Sequence, residues 1–436
     1  ILVWICFYFQ TMASESSEYF QSYNSLNVHE LMIKDRPRTE AYKDFLEKNA
    51  HLVKGKVVLD VGAGTGILSL FAARSGAKKV YAVEASEVAN LCKEIVKVNK
   101  YDHVVTVFNN LVENVELPEK VDIIISEWMG FYLLHESMLE SVLYARDKWL
   151  KDNGILLPSH ATIYTCPVNM SGFCKDNFEF WEDVYGLDFS PFQERTIASH
   201  LNQPTVIVLK EEQLLSDKQV LTKFDLKTMK ISDAQEIEEK LSFKVFRDSI
   251  LHGFAAWFDV SFSPGLQLDD KLEDRSNIGV KDINRESKGA ESEKALSSKL
   301  NCVTLSTSPV HAETHWKQTV CFLPVTVKVE SNETIFCKIS LGQDDANKRH
   351  YNITLEMLES LDDTDEDYDE DDDDLEEDTS RHPVPCDCGS GRCRIISAIV
   401  EKFGEEQNEL EMEAEFDDVS AEVQAAQKMD NDDDGD

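Results

Sequence analysis

Basic residues are scarce in this chain: 44 Lys+Arg stand against 82 Asp+Glu, a formal charge of −38 over 436 residues. Gripping nucleic acid through its phosphates needs a basic footprint, so the balance argues against direct nucleic-acid binding and for cationic partners. Long apolar runs are missing too. None approaches the ~20 residues of a membrane-spanning helix, so no membrane partner is expected. Ten cysteines occur without a regular framework, which fits reduced, intracellular thiols rather than a disulfide scaffold. No internal repeat is evident. The apolar stretch 1–9 has neither a basic flank nor a small-residue cleavage site, so it does not read as a secretory signal. Residues 1–11 are expected to be translated upstream sequence ahead of Met12-Ala13-Ser14.

The acid is concentrated at one end. Residues 362–436 carry 30 acids and 5 bases, a net of −25, which leaves −13 on residues 1–361. The length admits two or three domains, and a hydrophobic fraction of 42% supports a sizeable core. Residues 12–50 read as an amino-terminal helical segment. From 51 to 158, short buried runs such as Val57-Val58-Leu59-Asp60-Val61 alternate with helical patterns, which implies a mostly parallel sheet covered by helices. From 159 to 358 alternating β patterns dominate and point to a mostly antiparallel domain. An aromatic-rich segment at 178–192 interrupts it, and 235–245 reads as helix. Residues 264–300 contain no aromatic residue and read as a mobile surface insertion; 359–436 read as an acidic, solvated extension.

Two constellations carry chemistry. Asp60-Val61-Gly62-Ala63-Gly64-Thr65-Gly66 lies between a strand and a helix, where glycine lets the backbone approach a ligand. Glu84 ends the next strand and is placed to accept hydrogen bonds from ribose hydroxyls. A dinucleotide fingerprint would put its third glycine at position 67, which is Ile67, so the spacing favours S-adenosylmethionine over a pyrophosphate cofactor. A purely structural glycine turn is the bland alternative. Next, Glu127 follows the hydrophobic strand 123–125 and Glu136 comes nine positions later. A turn through Gly130 brings two carboxylates to the carboxyl edge of the sheet, where ligands of open α/β sheets bind. Guanidinium is the cation that matches paired carboxylates with bidentate geometry. No metal ligands are assigned to this centre. On their own, two nearby glutamates are more often solvated helix-start residues.

Four separated motifs go further. Glu127-Trp128-Met129-Gly130 with Glu136-Ser137-Met138-Leu139 resembles the double-glutamate loop of the protein arginine N-methyltransferases. Thr314-His315-Trp316 resembles that family's Thr-His-Trp loop, and Tyr19-Phe20-x-x-Tyr23 with His29-Glu30-x-Met32-x-x-Asp35-x-x-Arg38 resembles its cofactor lid. The similarity runs from about Tyr19 to Met357, is nearest the asymmetric (type I) class, and at residues 80–86 leans toward the methyltransferase 6 subtype.

The resemblance implies a Rossmann-like domain, a β-barrel and a helical dimerisation arm near 171–202, hence a homodimer. It implies S-adenosyl-L-methionine held by His29, Arg38, Gly62, Gly64, Glu84, Val112, Glu113 and Met138, with Arg38 on the cofactor carboxylate. Glu127 and Glu136 would hold the substrate guanidinium, and His315 and Asp35 would pair across the two domains. Tyr23, Met32 and Trp316 would shape the substrate pocket, Met32 and Met138 leaving room for a second methyl. Substrates would be arginine-rich basic proteins such as histones, in nucleus and cytoplasm. A catalytically silent acidic adaptor that binds histones through its tail is the alternative, disfavoured by the intact motif set.

Some residues depart from the family pattern. Pro37 precedes Arg38 and is expected to bend or end the lid helix. Cys386-x-Cys388-x4-Cys393 after His382 offers three local thiolates, one short of the usual structural zinc set, and reads as an unstructured thiol cluster.

Overall fold

The computed structural model describes residues 5–7, 25–263, 301–358, 360 and 361. The expected mobile insertion, the acidic extension beyond residue 361, the Cys386, Cys388 and Cys393 cluster, and Tyr19, Phe20 and Tyr23 lie outside the described residues.

A short strand, β1 (Ile5–Phe7), precedes helices α1 (Leu26–Lys34), α2 (Arg36–Lys48) and α3 (Ala50–Val53). Asp35, with extended backbone, separates α1 from α2, and its carboxylate caps α2 by accepting the Arg38 N–H at 3.1 Å. Pro37 falls in the first turn of α2, where a missing N–H costs nothing. The proline therefore ends one helix and starts the next. Along the buried face of α2, Tyr42 and Phe45 pack against Phe262, with ring centroids 4.6 and 5.9 Å away. Burying two such rings stabilises the junction by roughly 1.5–3 kcal/mol each.

Next comes an α/β unit: β2 (Val57–Val61), α4 (Ile67–Arg74), β3 (Lys79–Glu84), α5 (Val88–Val98), β4 (Val105–Asn109), β5 (Val121–Ser126), α6 (Leu139–Trp149) and β6 (Leu150–Leu157). Its strands lie in the order β4-β3-β2-β5-β6 and every pairing is parallel. Strand β2 is buried at all five positions, the sign of a sheet covered on both faces. The order reverses between β2 and β5, and a crevice opens beyond their carboxyl ends. That switch point receives both the glycine loop and the segment that starts at Glu127.

Beyond Pro158 the chain is antiparallel. The remaining elements are β7 (His160–Val168), α7 (Ser171–Asn177), α8 (Ser190–Asn202), β8 (Thr205–Ile207), β9 (Gln219–Asp225), α9 (Ser232–Gln235), β10 (Glu236–Lys244), β11 (Ser249–Phe262), β12 (Val303–Ser306), β13 (Gln318–Val329), β14 (Thr334–Gln343) and β15 (Tyr351–Leu358). They build two sheets, β8-β13-β11-β7-β9 with β12 on β11, and β1-β15-β14-β10. Phe243 of β10 meets Phe254 of β11 at 5.7 Å between the sheets.

One expectation is overturned. Residues 235–245 are not a helix: apart from the helical turn that ends at Gln235, they form β10, in antiparallel register with β14 from Glu236↔Gly342 to Lys244↔Thr334. Ile237 and Leu241, four apart, fit a helix face and a strand face equally well; the nine-residue ladder decides. Between β7 and β8, α7 and α8 project with an aromatic cluster in which Trp181 and Phe192 lie 4.1 Å apart. At its tip Tyr185 is 98% exposed and Leu187 62%.

Candidate active site

The glycine loop and Glu84 meet at the end of the β2–β3 pair. Gly62 has φ +73°, and a Cβ there would overlap the Cε of Met138. Only glycine satisfies both the left-handed turn and the close approach. Glu84 accepts the Gly64 N–H at 2.7 Å and the Ser86 N–H at 2.8 Å, so the acid at the end of β3 also pins the loop after β2. Val112 starts a 3₁₀ turn, Val112–Asn114. Glu113, next to it, accepts from Ser141 Oγ at 2.7 Å on the side of α6.

The segment from Glu127 to Glu136 folds back on itself through bridges Gly130↔Leu133 and Phe131↔His135. Any side chain at Gly130 would overlap the His135 carbonyl, which explains glycine there. Glu136 has φ +59°, a costly conformation for a non-glycine residue, and its N–H donates to the Arg349 carbonyl at 2.7 Å. Arg349 returns a bond from Nη1 to Ser137 O at 2.7 Å. The turn before β15 thereby holds the second glutamate in place.

Glu127 is buried, its side chain 8% exposed, and its Oε2 accepts from Arg38 Nη2 at 2.6 Å and Nε at 2.9 Å. The resemblance placed Arg38 on the cofactor carboxylate; here it bridges to Glu127, with Nη1 on the Met32 carbonyl at 3.0 Å. Glu127 Oε1 is buried and has no hydrogen-bond partner. Glu136 is 41% exposed at its side chain, and its Oε1 lies 4.0 Å from His350 Nε2. Burial, with the neighbouring His350 adding to it, pushes the His135 imidazole down to about 3.

His315 and Asp35 pair across the two units, as expected. The Asp35 carboxylate accepts the His315 backbone N–H at 2.8 Å, and its Oδ2 lies 2.6 Å from His315 Nδ1. Burial alone would raise the Asp35 carboxyl. The hydrogen bonds from His315 and from the Arg38 backbone outweigh it and hold the carboxyl below its ordinary value. Trp316 is buried, donates to the Met129 carbonyl at 3.1 Å, and stacks edge-on against Phe258.

These elements surround one cavity of about 330 Å³. His29, Met32, Arg38, Gly62, Gly64, Glu84, Val112, Glu113, Glu127, Glu136, Met138, His315 and Trp316 all line it. Asp35 supports the wall from behind through His315. His135 and Arg349 also line the cavity and were not singled out from sequence. His135 had only its place beside Glu136 as a signal; Arg349 had none.

Comparison with known proteins separates the possible readings. Residues 159–271 and 293–360 match the family described as "Arginine methyltransferase oligomerization subdomain". Residues 39–156 match "Ribosomal protein L11 methyltransferase (PrmA)". A probable protein arginine N-methyltransferase 6 of Arabidopsis thaliana is 41% identical over 338 residues, 78% of each chain. The chain belongs to the protein arginine N-methyltransferases. Protein arginine N-methyltransferase 6 of Xenopus tropicalis is 40% identical over 345 residues, 78% of this chain and 91% of that one. The solved Trypanosoma brucei enzyme–prozyme heterotetramer with S-adenosylhomocysteine is 33% identical, with TM-score 0.64, over 77% of this chain and 94% of that one. The match to the oligomerization subdomain skips 272–292, inside the aromatic-free insertion. As an arginine methyltransferase the protein uses S-adenosylmethionine. The glycine loop, Glu84 and the cavity at the switch point fit that group, and Ile67 in place of a third glycine does not suit a pyrophosphate.

Proposed function

We propose that the chain makes mono- and asymmetric dimethylarginine on basic proteins such as histones, with Glu127 and Glu136 gripping the substrate guanidinium. One observation carries the clamp: Glu127 presents a buried carboxylate oxygen with no partner in the wall of the cofactor cavity, while Arg38 fixes its other oxygen. Leaving such an atom unpaired costs about 1–3 kcal/mol, which a guanidinium N–H recovers. Glu84 holds the ribose hydroxyls, Gly62 and Gly64 line the methionine and ribose, and Val112 and Glu113 border the adenine.

When bound, the cofactor supplies an electrophilic methyl on a sulfonium. Arginine is protonated at any working pH, so its nitrogens are poor nucleophiles. The two glutamates draw positive charge toward the nitrogens they bind and leave another nitrogen richer in electrons. They also aim that nitrogen, so orientation and preorganised charge supply much of the rate. The proton leaves after transfer, and no strong base is needed. Asp35 and His315 keep the amino-terminal helices closed over the cavity, while Met32 and Met138 leave room for the second methyl.

The exposed aromatic tip around Tyr185 and Leu187 supports a homodimer formed through the 171–202 arm. The distribution is proposed to be nuclear and cytoplasmic, where histones and other basic substrates occur. A silent acidic adaptor would not need the unpaired Glu127 oxygen or the Asp35–His315 pair. The test is methylation of histones and a glycine-arginine-rich peptide with labelled cofactor, followed by chromatography of the hydrolysed arginines. Asymmetric dimethylarginine is expected. Symmetric dimethylarginine overturns the product assignment, and no transfer at all overturns the reading.

A further inference from the structure

Three side chains beside the cavity belong to no part of this mechanism as a set. His135, Glu136 and His350 each offer one ligand atom, and these atoms lie within 4.8 Å of one another. The two histidine rings are stacked, with centroids 4.8 Å apart and planes 24° apart. His135 and Glu136 come from the folded-back loop after β5; His350 comes from the turn before β15. The hydrogen bond from the Glu136 N–H to the Arg349 carbonyl and the bond from Arg349 to Ser137 lock those two segments together, so the spacing is built in.

We propose that His135, Glu136 and His350 form a site for a divalent transition cation such as Zn²⁺, and that the cation competes with the substrate guanidinium for Glu136. Two imidazoles and a carboxylate are a donor set that suits Zn²⁺, with a fourth position left for water. Asn347 Nδ2 lies 3.3 Å from His350 Nε2. The same nitrogen lies 4.0 Å from Glu136 Oε1, and it gives up the Asn347 contact when it turns to a cation. Donors about 2 Å from a tetrahedral ion stand roughly 3.3 Å apart. Closing 4.0 Å to that value takes a small side-chain rotation, and the widest separation needs about 1.5 Å. Glu136 lines the cavity and its Oε1 lies beside His350, so one residue serves both ligands in turn. The competition rests on the guanidinium reading of Glu136; the cation site itself does not.

The experiment is Zn²⁺ binding to the full chain by titration calorimetry and by metal content after gel filtration, alongside methyl transfer with and without chelator. Cysteines and the acidic extension bind Zn²⁺ as well, so the readout is the difference between the native chain and His350→Phe, which keeps the ring stack. His350→Gln serves as a second variant should the first fold poorly. The variant is expected to lose one equivalent of Zn²⁺, or to bind it at least about tenfold more weakly, with chelator-treated activity unchanged. In the native chain Zn²⁺ should raise the KM for arginine peptide without changing cofactor affinity, and the variant should resist it. Equal Zn²⁺ stoichiometry and affinity in native and variant chains overturn the site. Loss of one equivalent, with inhibition absent or independent of peptide, overturns the competition and with it the guanidinium role of Glu136.

Discussion

Replacing Asp35 with alanine removes three interactions from one carboxylate that is 2% exposed at its side chain. The cap on α2 goes, at about 1 kcal/mol. The backbone N–H and ring of His315 lose their acceptor, and each buried polar group left unpaired costs about 1–3 kcal/mol. Asp35→Asn keeps a cap and a neutral acceptor, so it should cost about 1–2 kcal/mol. Urea unfolding monitored by fluorescence gives the difference in stability, and the expected order is alanine worse than asparagine. Sign and window follow from the lowered carboxyl. A carboxylate held below its ordinary value stabilises the fold above the unfolded pKa of about 3.9, and that contribution is lost as pH falls through the folded value. The gap between native and alanine chains should therefore be full at neutral pH and close at acid pH, from roughly pH 4 downward. A destabilisation under about 0.5 kcal/mol, or a gap that does not change with pH, refutes the role of Asp35 as the link between the amino-terminal helices and the antiparallel unit.

Two further outcomes are expected. Gly62→Ala puts a side chain at φ +73° and against Met138. With about 1–2 kcal/mol of left-handed strain, it should weaken S-adenosylmethionine binding about tenfold in calorimetry; unchanged affinity would show that the loop does not contact the cofactor. Deleting residues 362–436 removes a net charge of −25 and should raise the KM for basic substrates at low salt while sparing kcat. Because the attraction is screened within about 10 Å at 0.1 M salt, a KM that is equal for both chains at low salt counts against steering by the extension.

Much of the α/β unit was legible because its signals are local. A five-residue buried run, a glycine turn and an apolar helix leave little choice, and Glu84 sits at the next strand end, beside the glycine loop. Residues 235–245 misled for a physical reason. Spacing of four is a multiple of the strand period of two, and the Glu and Lys around Ile237 and Leu241 favour helix until β14 supplies a nine-residue ladder. The paired glutamates were visible in sequence, but their surroundings were not. Arg38 reaches Glu127 across 89 residues, and Arg349 and His350 come from the other domain. Such contacts depend on how two units dock, which no local pattern encodes.

The central claim is that Glu127 and Glu136 hold and polarise the guanidinium in a cavity that also takes the cofactor. Single-turnover methyl transfer by Glu136→Gln, measured with chelator present and beside its S-adenosylmethionine affinity, tests this most directly. The substitution keeps shape and removes charge. The account predicts transfer slower by roughly 10²–10³-fold, with cofactor affinity unchanged; near-normal transfer to an arginine peptide would contradict it.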